Sequence, residues 1–172
     1  MTDRQAKSAW RPLAAAEPVR ERVFLAVFFL AALSVAVVDA FSVTADRAKA
    51  GRPVPLWEPL LWETTSVVVL FALVPLVLAF VRRVPPLSAP WRLVAPLHAI
   101  AALAFSLVHV VAMGALRAGA YAAVGGSYPP LGPLRDFPYE FRKDLLIYLG
   151  VVALYVAWRR LAPERPSPAP GP

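Results

Sequence analysis

Four apolar runs, separated by short stretches of proline, glycine and charge, dominate this chain and limit it to folds that live in hydrocarbon. A helix crosses a hydrocarbon layer of about 30 Å with about 20 apolar residues. Val23–Thr44 is such a run, broken only by Ser34, Asp39 and Ser42. Leu60–Val81 is a second, with Glu63 and the step Thr64-Thr65-Ser66 near its start. Leu93–Leu116 is a third and carries His98, Ser106 and His109. The fourth, Leu145–Trp158, is the weakest. As a helix it rises only about 21 Å. Arg142 and Lys143 before it, and Arg159 and Arg160 after it, can snorkel to the two interfaces. A helix lying in the interface is the alternative for this segment.

The expectation is an all-α integral membrane four-helix bundle with both termini in the cytoplasm. Its helices cover about 23–44, 60–81, 93–118 and 142–161, within a transmembrane domain over 23–161. Residues 1–22 read as a basic cytoplasmic segment, and 162–172 as a disordered Pro-rich tail. A cleaved signal peptide is the alternative for the first run, but no small-x-small site precedes a mature soluble domain. Lys and Arg set the orientation. The N-terminal flank, the second loop and the tail together hold eleven, against seven in the first and third loops. Val84–Pro90 is a tight Pro-rich connection, so the second and third helices should be antiparallel neighbours. Trp57 and Trp62 near one interface, and Trp91 and Trp158 near the other, fit aromatic belts.

Composition narrows the chemistry. Of 172 residues, 59% are hydrophobic and 17% charged, where a soluble domain has about half and a quarter. The net charge of +7 would suggest nucleic acid on a soluble chain. Here the charges flank apolar runs, and topology accounts for them. With no cysteine, disulfides, thiolate metal sites and Cys nucleophiles are excluded. The two histidines lie eleven residues apart on one helix, about 16 Å along its axis, so they cannot share a metal. No P-loop, Gly-x-Ser-x-Gly elbow, His-Glu-x-x-His or GxGxxG string occurs. Ser88 and Ser106, the serines nearest a histidine in sequence, lack a readable acidic third member. The expectation is a chain without catalytic, metal or cofactor residues.

Ionisable residues inside a membrane usually face a bundle interior or a cavity. Asp39, Glu63, His109, Arg117 and Asp144 fall at one approximate depth, near the outer ends of their helices. They form a candidate polar sensing cluster, with Arg117 paired to Asp39, Glu63 or Asp144. The alternative is a set of interfacial charges satisfied by water or neighbours. Asp144, Tyr148 and Tyr155 make a stripe along the fourth helix, where satisfied packing hydroxyls are the simpler account. Pro75 and Pro96 fall inside helices two and three, where they can kink them.

Several strings occur in one order: Asp46–Pro53, Trp57-Glu58-Pro59 with Trp62-Glu63, His98, Phe105–His109, Leu116-Arg117, Gly125–Tyr128 and Tyr139–Asp144. Together they resemble the N-terminal four-helix membrane domain of bacterial LytTR-type transcriptional regulators, over roughly residues 20–160. The resemblance implies a sensory or anchoring role in the bacterial inner membrane, without catalysis. It marks Glu58, His98, Tyr139, Glu140, Arg142 and Lys143 as further motif residues beside the cluster. In that family a β-rich DNA-binding domain follows. These 172 residues hold no such domain, so direct nucleic-acid binding is not expected of them. The partners compatible with this reading are the lipid bilayer, a second copy of the chain and a cytoplasmic DNA-binding regulator. Gly114 and Ala118 have the small-xxx-small spacing of a dimer face. The rival readings are a membrane subunit that sequesters a soluble regulator and a small transporter or channel subunit.

Overall fold

A computed structural model describes residues 18–87 and 90–161. Ser88, the N-terminal basic flank up to Glu17 and the Pro-rich tail lie outside the described residues. The described chain is all helical: α1 (Pro18–Lys49), α2 (Trp57–Arg83), α3 (Trp91–Ala123), the single turn α4 (Gly132–Arg135) and α5 (Phe137–Leu161). α1, α2 and α3 are long and apolar enough to cross a membrane. Each helix extends beyond its apolar run, because backbone bonding continues into flanks whose polar side chains reach outward. α5 has 25 residues where the apolar run has fourteen. The added turns carry Tyr139, Glu140, Arg142, Lys143 and Asp144, residues that hide a helix from hydropathy but do not oppose one.

The ends are set locally. α1 closes on a Schellman motif: Gly51 takes φ of 70° and the Arg52 amide donates to the Arg47 carbonyl at 2.9 Å. α3 closes the same way, with Gly125 at φ of 76° and the Gly126 amide on the Tyr121 carbonyl at 2.8 Å. Pro59 and Pro138 sit in first turns, where their missing amides cost nothing. Pro75 and Pro96 lie inside α2 and α3, as the sequence indicates.

The chain runs up and down, so α1 and α5 bring both described termini to one end, the terminal end. The opposite end, with the 51–56 and 124–136 connections, is the distal end. α2, α3 and α5 pack on one another, and α1 packs along α2. Val74, Leu78, Val81, Ala102, Val151 and Tyr155 lie in the shared core. α1 is peripheral: 17% of its most apolar window is buried, against 44% in α2 and 39% in α3. Ala36 and Ala40, one turn apart, are buried, and their methyl groups let the backbones approach closely. α1 meets α5 near the terminal end, where the Phe24 ring packs edge-on to Tyr155, 5.7 Å between centroids, and beside Trp158.

Candidate functional site

A carboxylate buried in a bundle needs donors from its neighbours, and Asp144 has them. It lies on α5, 1% exposed, facing α3. His109 Nδ1 is 2.8 Å from its Oδ1, and the Ser106 hydroxyl donates to its Oδ2 at 2.7 Å. His109 and Ser106 are three residues apart on α3 and are both buried, so one helix face grips both carboxylate oxygens. On the far side of the imidazole, Nε2 lies 3.1 Å from the Ser66 hydroxyl of α2. The chain Ser66–His109–Asp144–Ser106 thus ties three helices together. With Asp144 ionised, Nδ1 carries a proton. Nε2 then accepts from Ser66 in the neutral ring and donates to Ser66 in the imidazolium. A hydroxyl serves both roles, so the chain accommodates either state without moving.

A second polar group lies closer to the distal end. The Tyr121 hydroxyl donates to Glu58 Oε2 at 2.6 Å and accepts from Trp62 Nε1 at 3.0 Å. Arg117 donates from Nη2 to the Trp62 carbonyl at 2.7 Å, from Nε to the Thr65 hydroxyl at 3.2 Å and from Nη1 to the Tyr128 hydroxyl at 3.3 Å. A third lies towards the terminal end. His98 Nε2 is 3.0 Å from the Val84 carbonyl, so that nitrogen carries the proton, and in the neutral ring Nδ1 accepts from the Tyr148 hydroxyl at 2.9 Å. Phe105 bridges the levels, with its ring 6.3 Å from His109 and 5.9 Å from Tyr148. At the terminal end Arg82 of α2 donates to the Glu21 carboxylate of α1.

This arrangement corrects the expected cluster in two ways. Arg117 does not pair with Asp39, Glu63 or Asp144. Its donors go to neutral oxygens, and the counter-group of Asp144 is His109. His109 and Asp144 do lie at one level, with Ser66 of α2 beside them, although α2, α3 and α5 begin at different heights. Asp39 and Glu63 separate from the rest and face a groove between α1 and α5. The missing acidic partner of a Ser–His pair is also present, but for Ser66, not for Ser106.

The remaining motif residues divide. Glu58, His98 and Tyr148 join the networks. Glu140 and Lys143 form an i,i+3 ion pair at 3.5 Å, with the Lys143 ammonium 5.3 Å from the Tyr139 ring centroid. Tyr139 and Arg142 are exposed. Gly114 is buried inside the chain's own bundle and Ala118 is half-buried, so that pair is not a free face. Asp144, Tyr148 and Tyr155 all turn inward, but of the two hydroxyls only that of Tyr148 has a hydrogen-bond partner among the described residues. Sequence reading missed Ser66, Thr65, Trp62, Tyr121 and Tyr128. The Thr64-Thr65-Ser66 step in an apolar run and the ordered strings that include Trp62 and Tyr128 drew the eye to four of them without assigning a site, and nothing in the sequence pointed at Tyr121. Among the described residues, no group of three or more His, Asp or Glu is placed to hold a metal.

No protein-family model, no curated protein and no solved structure matches this chain.

Proposed function

We propose that the chain is a membrane-embedded sensory module of a bacterial inner membrane, acting in LytTR-type transcriptional control without catalysis. The distal end faces outward, and α5 is the fourth span. The observation that carries the reading is the buried Ser66–His109–Asp144–Ser106 chain. Asp144 holds α5 to α3, and one turn further along the same face Tyr148 reaches His98 and the end of α2 at Val84. A change at Asp144 is therefore felt along the face of the helix that leads into the C-terminal tail. A signal can act here only by favouring one packing of α5 over another. The resemblance of the ordered strings supports the regulatory context, and the eleven-to-seven excess of Lys and Arg supports the orientation.

Transcript profiling of the native host tests this. Deletion of the gene should alter a defined set of transcripts. The doubly substituted chain His109→Gln with Asp144→Asn, present in the membrane in normal amount, should alter the same set. Unchanged transcripts on deletion would sink the reading. For orientation, the absence of native cysteine allows single reporters. Ser127→Cys should react with an impermeant maleimide in intact spheroplasts, and Arg160→Cys only after lysis.

One geometry favours a second reading, an intramembrane serine hydrolase. Ser66, His109 and Asp144 stand as nucleophile, base and orienting carboxylate at hydrogen-bond distances. Ser66 lies in the interior of α2, however, where backbone amides are committed to helix bonds and offer no oxyanion hole. A fluorophosphonate adduct on Ser66, lost in Ser66→Ala, would favour the hydrolase.

A further inference from the structure

Beside the polar chain runs a groove of about 330 Å³ between α1 and α5, floored by α2. It exists because α1 meets α5 by aromatic packing at the terminal end while, towards the distal end, α2 lies between them. Phe28 to Asp39 on α1 and Lys143 to Leu154 on α5 form its two walls, each about 16 Å long. The walls are matched in polarity as well as length. Asp39 and Lys143 mark the distal end of each wall, Glu63 lies at the same end of the floor, and Phe28, Leu70, Val151 and Leu154 line the rest. Ser66 opens onto it, which connects the groove to His109.

The charges at the mouth are unequal. Lys143 is already paired with Glu140. The carboxylates of Asp39 and Glu63 accept no hydrogen bond from any described residue, and the charges acting on Glu63 are Lys143, Asp39, Arg117 and Glu140. Three carboxylates, those of Asp39, Glu63 and Glu140, stand here against two cations, Lys143 and Arg117, so the surplus charge at the mouth is negative and favours a cation. Gly150 adds a separate observation. It lines the groove in mid-helix, and a Cβ built there would meet nothing within 4 Å. Glycine costs a helix interior about 1 kcal/mol relative to alanine. No neighbour requires it here, and what it keeps open is the groove.

We propose that this groove binds a single-chain amphiphile with an ammonium head, the chain lying between α1 and α5 and the head between Asp39 and Glu63. Such a ligand wedges α1 from α5 and reaches Ser66. In that consequence it rests on the sensory reading, as the signal that reading needs, whereas binding itself can be measured without it.

The test uses the full chain in nanodiscs of zwitterionic lipid, with a dodecylamine that carries a photoreactive diazirine at its chain end. Adducts should fall on α1 and α5 towards Phe28 and Leu154. Dodecylamine should compete, and dodecyl sulfate and dodecanol should compete at least tenfold more weakly. Gly150→Leu, which fills open space, should cut labelling at least tenfold while the thermal transition is kept. Asp39→Asn with Glu63→Gln should cut the preference of amine over alcohol about tenfold and leave alcohol competition as it was. Equal competition by amine, sulfate and alcohol, or undiminished labelling of a folded Gly150→Leu chain, overturns the proposal. Specific labelling with no transcript change on gene deletion would keep the site and remove the sensory reading.

Discussion

α2 has two sides, and they are built on different principles. Towards α3 and α5 it presents Ser66 and the Thr65 hydroxyl to polar partners, so the contact is keyed by hydrogen bonds with fixed donors and acceptors. Towards α1 it presents an apolar surface against Ala36 and Ala40, and rings such as Phe71, 4.7 Å from Phe29. In lipid, apolar packing has no hydrophobic driving force between helices, and close fit and hydrogen bonds decide association. The keyed side has one register. The smooth side is tied by Arg82 and Glu21 at the terminal end and is free to part at the groove. From this contrast we expect α1 to be the mobile helix and α2–α3–α5 the fixed frame, even though α1 packs along α2.

The largest effect should come from the keyed side. Asp144→Ala leaves His109 and Ser106 without their acceptor and should cost about 3 kcal/mol, read from unfolding in mixed micelles. If Asp144→Ala unfolds like the parent, the polar frame is not what holds α5. Next is the smooth side. Ala40→Leu places a branched side chain between closely packed backbones and should cost about 2 kcal/mol. Hydrogen exchange should rise in α1 and stay unchanged in α3. Equal exchange in both would erase the distinction between frame and mobile helix. Glu21→Gln removes the terminal tie, which is partly exposed, and should cost about 0.5 kcal/mol. Double electron–electron resonance between spin labels on α1 and α5 should broaden in that variant. Gly150→Ala should stabilise the chain by a few tenths of a kcal/mol, through helix propensity with no clash. A loss would mean that the groove is narrower than described.

The three long apolar runs were legible because hydropathy over about 20 residues is a local property, and the structure has a helix on each. Helix ends were less so, since Pro18–Arg22 and Phe137–Lys143 are polar and helical at once. The site was legible as a set and not as a wiring diagram. His109, Arg117 and Asp144 were singled out because ionisable residues in apolar runs are conspicuous. Which pairs with which depends on how each helix is rotated and how far it has slid, and residues 35 apart in sequence carry no mark of that. Ser66 was hidden for another reason. A hydroxyl in a helix can bond back to its own turn, as Thr65 does to the Leu61 carbonyl, so its presence says little until a histidine is seen beside it.

α5 carries the least apolar of the four segments and, at Asp144, a carboxylate in its buried face. A ribosome delivers it last. By then α3 is in place, with Ser106 and His109 already turned inward and Ser66 beside them on α2. The groups that make α5 a poor candidate for entering lipid alone are the ones the earlier helices receive. On the proposed reading of α5 as a fourth span, the first three helices template its insertion, and a chain lacking His109 and Ser106 should stall as a three-helix intermediate with α5 left at the membrane surface.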